Sequence, residues 1–171
     1  MKTALIVLAV LVALSTVVLI IGAALPRNHT VSREINLSRS PAEIYSVIRD
    51  FASSPTWRRD IVRVEILDGV DGRARFTEHS KDGSVTYEIS EDVPPERLST
   101  RIVDRDLGYS GSWAYEVLAQ GGGTRLRITE NGEVANILFR FMSRFVFGHT
   151  STIDSYLLAL SGRFGEHVEL Q

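Results

Sequence analysis

The chain has 171 residues and no cysteine, which excludes a disulfide framework, a thiolate nucleophile and a thiolate metal site. Its 19 basic and 21 acidic side chains give a net charge of −2, and strong nucleic-acid binding is disfavoured on that balance. A mean hydropathy of +0.03 conceals two different solvents, because nineteen of the 22 residues from Ala4 to Leu25 are apolar and no acidic residue precedes Glu34.

As a helix that apolar run is about 33 Å long, which matches a hydrocarbon core of ~30 Å. Residues 1–25 are therefore expected to form a transmembrane anchor, residues 26–30 a linker, and residues 31–171 one soluble domain. A cleaved signal peptide competes, since Gly22 and Ala24 are small residues at a plausible cleavage site, but its apolar stretch should be only about 7–15 residues. A buried core helix would need apolar partners on every side. Orientation is contested. Arg27, Arg33 and Arg39 follow the helix and favour a cytoplasmic domain, whereas the two-residue tail before it resembles a signal anchor whose carboxyl side is exported. We expect a single-pass protein of the cell membrane with an extracytoplasmic domain.

Val31, Ile35 and Leu37 alternate with polar neighbours, which predicts a half-buried strand over 31–37, with Arg33 breaking the apolar set. Ser40-Pro41-Ala42-Glu43 is a helix start: a capping serine, proline in the first turn and a glutamate that reaches back. Ile44, Tyr45, Val47, Ile48 and Phe51 form its apolar face, and Ser53, Ser54 and Pro55 interrupt it before Trp57. Turn chemistry then punctuates six strands, at about 61–67, 73–80, 84–92, 98–105, 111–119 and 124–132. Two-residue turns at this spacing argue for an antiparallel meander, as parallel pairing needs longer crossovers. Residues 136–167 return to helical spacing, with Ile153, Tyr156, Leu157, Leu160 and Phe164 inside a ~100° arc.

This order of elements resembles the START-like superfamily, also called SRPBCC or polyketide cyclase/dehydrase proteins. The local likeness lies in SPAEIYSVIRDFASSPTW, in ITENGEV and in RFVFGHTSTIDSYL, and it covers about residues 31–167. It implies an α+β helix-grip fold, in which a seven-stranded curved antiparallel sheet surrounds a long C-terminal helix with an apolar cavity between them. Such cavities hold lipids, sterols, hormones and polyketides across the superfamily. No common catalytic residue exists to carry over. Two departures are the anchor and the pair Arg58-Arg59 after Trp57.

Alternation puts Trp113 and Tyr115 on one face of their strand, with Val85 and Tyr87 on another strand and Ile128 on a third. Core packing explains such aromatics equally well. With Trp57, Phe76, and the helical Ile153, Tyr156 and Leu160, they are the expected ligand-binding wall. Glu78, Glu91, Asp104 and Glu130 interrupt apolar faces, and each is expected at a strand end that has reached water. Glu130 and His149 are the candidate catalytic acid–base groups. A helical projection spreads the apolar residues of 137–147 over about 200°, twice what a core-facing helix requires. Phe141 and Phe145, with Arg140 and Arg144 toward lipid phosphates, are expected to dock on a membrane, the alternatives being a lid over the pocket mouth or a surface covered by neighbouring loops or a second subunit. Scattered histidines disfavour a metal site, and no cofactor is expected. Three functions follow from these features: a membrane-anchored binding or transport protein for a hydrophobic small molecule or lipid, a cyclase/dehydrase-like enzyme using pocket acid–base residues, and a protein-interaction module.

Overall fold

The computed structural model describes residues 2–148 and 150–171. Helix α1 (Lys2–Ala24) contains no charge beyond Lys2 and leaves its large apolar side chains exposed, with Gly22 as its buried residue. It is long and apolar enough to cross a membrane. Strand β1 (Asn28–Leu37) begins earlier than expected, so the linker shrinks to residues 25–27. The capping box forms as its sequence predicts: Ser40 Oγ accepts from the Glu43 N–H at 3.3 Å and the Ser40 N–H donates to Glu43 Oε2 at 3.0 Å. Helix α2 (Pro41–Arg49) starts there, and a 3₁₀ helix (Phe51–Thr56) follows it.

Six strands come next: β2 (Ile61–Val70), β3 (Arg73–Ser80), β4 (Ser84–Val93), β5 (Arg97–Ile102), β6 (Tyr109–Gln120) and β7 (Gly123–Val134). The seven strands form one antiparallel sheet in the order β1-β7-β6-β5-β4-β3-β2. Short turns make each sequential hairpin, and only β1 closes non-locally, onto β7. The edge at β1 is covered by the C-terminal tail, where Glu34 and Gln171 exchange both backbone hydrogen bonds at 2.9 and 3.0 Å.

The terminal helical region departs from expectation. In place of one helix over 136–167 there are α3 (Ile137–Met142), a π turn (Ser143–Phe147) and α4 (Ser151–Arg163). Gly148 separates them with φ 77° and ψ 146°, a conformation outside the helical region that a residue with a Cβ resists. Of these three pieces, α4 supplies the buried apolar side chains of the core. Its Ile153, Leu157 and Leu160 are fully buried against Ile35, Leu126 and Ile128, each burial contributing roughly 1.5–3 kcal/mol. Arg33, the residue that breaks the apolar pattern of β1, uses its Nε to donate to Asp154 of α4 at 2.9 Å, clasping the helix to the sheet edge.

Candidate functional site

Beyond the end of α4 that begins at Ser151, the sheet is not filled by core side chains. The register of β6 on β7 sets Gly111 opposite Gly132, and Trp113 opposite Glu130. His29 of β1 is opposite Gly132 in turn, and its ring lies where a Cβ on Gly132 would stand. Two facing glycines thus leave room for an imidazole and for a hollow of about 480 Å³, within the range of small-molecule sites. Tyr87, Ile102, Tyr109, Trp113, Val134 and Phe139 give it an apolar lining, and Ser143, Gly148 and Ser151 close its rim.

One polar cluster stands in this wall. The Trp113 indole N–H donates to Glu130 Oε2 at 2.7 Å, and His29 Nε2 lies 3.2 Å from Glu130 Oε1. The Glu130 and His29 side chains are 19% and 18% exposed, so the carboxylate is oriented at both oxygens while it still reaches the cavity. Such a group can accept a hydrogen bond from an occupant, or move a proton through the imidazole.

A second cluster lies deeper, behind Tyr87, Thr100, Trp113 and Thr152, around a recess of about 50 Å³. Arg58 donates to Glu78 at 2.6 Å and to Asp60 at 2.7 Å, and its guanidinium sits 5.3 Å from the Tyr156 ring centroid. Its Nε is buried without a hydrogen-bond partner among the described residues. Burial works against the Arg58 charge, but the Glu78 and Asp60 carboxylates outweigh it and hold its pKa above the ordinary value. Burial pushes the Glu78 carboxyl up, with Arg58 opposing. The Tyr115 and Tyr156 hydroxyls beside them are also pushed up by burial. A larger open groove of about 860 Å³ runs between the 3₁₀ helix and α4, outside the sheet–helix interior, and carries no comparable apolar enclosure.

The residues read from sequence as a ligand wall have several different positions in the structure. Tyr87 and Trp113 line the main cavity, while Phe76, Tyr115 and Tyr156 line the deep recess. Ile128, Ile153 and Leu160 are fully buried in the core and line neither, because α4 rests directly on that part of the sheet. Trp57 packs edge-on against Tyr156 at 5.3 Å and borders the outer groove, and Val85 lines none of these spaces. His149 lies outside the described residues. Glu78 and Glu130 correct the expectation that interrupting acids stand in water at strand ends, since both are largely buried and paired. Glu91, half-exposed beside Arg97, and Asp104, which accepts the Thr86 N–H at 2.6 Å, are surface and backbone partners. Arg140 is a further correction: it is 7% exposed and donates to the backbone carbonyls of Leu25 and Ala135, so it does not face phosphates. His29 was hidden inside the supposed linker, and only its pairing with Gly132 reveals it. Among the described residues no group of three or more His, Asp or Glu could hold a metal ion.

Residues 28–150 match the family described as polyketide cyclase / dehydrase and lipid transport. The chain belongs to this family. No curated protein matches the chain. Solved structures share the architecture of this cyclase/dehydrase and lipid-transport member. A START superfamily protein from Mycobacterium smegmatis is 20% identical with a TM-score of 0.60, over 79% of this chain and 96% of that one. The Zhui aromatase/cyclase from Streptomyces sp. R1128 is 15% identical with a TM-score of 0.64, over 80% and 93%. The chain spans about half (52%) of a di-domain ARO/CYC from the steffimycin biosynthetic pathway, with 81% of its own length covered, at 11% identity and a TM-score of 0.63. At these identities the likeness is one of fold: an antiparallel sheet gripping a C-terminal helix.

Proposed function

We propose that the chain is a membrane-anchored binding or transport protein for a hydrophobic small molecule or lipid, with its domain on the extracytoplasmic side. The carrying observation is the apolar-lined hollow of about 480 Å³ in a chain whose first helix is long and apolar enough to span a bilayer. The occupant lies with its apolar body against Tyr87, Trp113 and Phe139 and its polar end toward Glu130 and His29. Native mass spectrometry of the full-length chain released from detergent tests this, with a retained hydrophobic mass expected. Trp113→Ala should weaken binding of an environment-sensitive fatty-acyl probe by about tenfold or more while the thermal melt still shows a folded domain. A full-length chain that is always empty and does not bind the probe overturns the proposal.

One observation favours a second function, acid–base catalysis of the cyclase/dehydrase kind. A carboxylate held by an indole N–H and set against an imidazole on an apolar cavity wall is suited to proton transfer at a bound polyketone. Glu130→Gln should then abolish turnover of a polyketide-type substrate and leave its binding unchanged. Full turnover in the Glu130→Gln, His29→Ala double variant removes that function.

A further inference from the structure

The apolar segment that α4 does not use has a definite position. The α1 and α3 backbones touch, and a Cβ on Gly22 would overlap the Ile137 carbonyl oxygen. Arg140 of α3 closes the contact: one guanidinium nitrogen donates to the Leu25 carbonyl just past α1 at 3.0 Å, the other to Ala135 at 3.1 Å. At ~1.5 Å per residue, the 23 residues of α1 make about 34 Å, so a bilayer crossed by α1 would have its boundary near Gly22. Helix α3 is fastened at that boundary.

The segment carries the side chains such a place requires. Leu138 is 52% exposed, and Phe145 and Val146 are each 59% exposed, with Ile137 and Phe139 near 40%. The exposed Arg144 lies among them. Phe139 also stacks on Tyr109, with ring centroids 5.9 Å apart, and both rings line the cavity. The same short stretch is therefore a cavity wall on one side and an uncovered apolar surface on the other.

We infer that α3 and the π turn lie in the interfacial layer of the membrane that α1 crosses, so that the cavity exchanges its occupant with the acyl layer through this wall and not with water. The inference rests on the proposed anchoring of α1 and on the cavity as the ligand site. It adds the route, and it revises the docking residues. Ile137, Leu138, Phe145 and Val146 enter the lipid. Arg140 instead fastens α3 to the anchor, and this fastening keeps the wall at a fixed depth. Interfacial helices bury their apolar faces about 5–10 Å into the headgroup and acyl boundary, within reach of side chains from a helix touching the end of α1.

The chain has no cysteine, so single labels can be placed without removing any native thiol. Full-length Leu138→Cys, Phe145→Cys, Leu11→Cys and Lys81→Cys, each carrying an environment-sensitive fluorophore, are reconstituted into phosphatidylcholine/phosphatidylglycerol liposomes. Leu11 lies midway along α1, and Lys81 is at an exposed hairpin tip. Quenching by acyl-chain spin-labelled lipid at 138 and 145 should exceed that at 81 by about a factor of two or more, with iodide showing the reverse order. Quenching at 11 but iodide access at 138 and 145 overturns the inference and leaves the anchor standing. Shielding of 138 and 145 from both quenchers overturns it in favour of a second copy of the chain over this surface. No lipid quenching at 11 overturns the anchor and the inference together. Arg140→Gln should lower lipid quenching at 145 without changing it at 11, and an unchanged value at 145 removes Arg140 as the fastening.

Discussion

Helices α3 and α4 are read from one stretch of sequence with one helical apolar period, yet they meet opposite environments. In α4, Ile153, Leu157 and Leu160 are wholly covered by the sheet. In α3, Ile137, Leu138 and Phe139 stay 39–52% exposed, and the helix leans on the end of α1. Amphipathic spacing states that a face needs covering and does not name the cover. The two helices also separate the polar clusters: Arg58 and Glu78 are sealed against α4, while Glu130 and His29 stand nearer the rim with α3.

The sealed side should break hardest. Arg58→Ala leaves Glu78 buried without its partner and is expected to cost about 3–5 kcal/mol in denaturant unfolding. The double variant Arg58→Met, Glu78→Leu should recover most of that loss, because the desolvation cost of both charges disappears with them. A loss in the double variant as large as in the single one would mean that packing around Arg58 matters more than its charge.

A second, matched pair sharpens the contrast between the helices. Leu157→Ala empties a fully buried site and should cost about 2–5 kcal/mol. Leu138→Ala removes the same atoms from an exposed site, and should change stability by no more than about 0.5 kcal/mol in detergent. Equal costs would show that α3 is covered in the working protein by something that detergent does not replace.

The smallest effect compares the two faces of the sheet. On the inner face burial raises the Glu78 carboxyl, whereas on the outer face hydrogen bonds from Arg101 and Arg75 hold Glu88 down to about 2. A depressed carboxylate stabilises the fold above its unfolded value near 4.5, and that contribution is lost as pH falls through the folded value. The stability gap between the natural chain and Glu88→Gln should therefore be full at neutral pH and close between about 4.5 and 2. A gap that does not change over this window would show that the arginines hold Glu88 no more tightly in the folded chain than in the unfolded one.

Local rules made much of the architecture legible. Ser40, Pro41 and Glu43 satisfy each other within one turn, so the start of α2 needs no distant partner. Hairpin turns such as Asp82-Gly83 set their own strands, which is why six strands and an antiparallel meander could be read in order. The candidate site was less legible. Tyr87 and Trp113 could be placed on a wall by alternation, but the same alternation also selected Ile128, which lies under α4 with no space beside it. Arg58 read as a departure from a family pattern, and nothing adjacent to it in sequence announces Glu78, twenty residues on, as its partner.

By itself the sequence determined the order of the strands, where α2 begins, which strand faces are apolar, and that an apolar helix with no charge beyond Lys2 precedes them. Those properties depend on neighbours a few residues apart. The tertiary structure alone decided that the helical run breaks at Gly148, that paired Gly111 and Gly132 leave a hollow beside His29 and Glu130, and that Arg140 reaches back 115 residues to the end of α1. Each of these is set by the packing of segments far apart in the chain. A glycine or an arginine has the same local signature wherever it occurs, and only the surface brought against it fixes whether it opens a cavity, breaks a helix or fastens one helix to another.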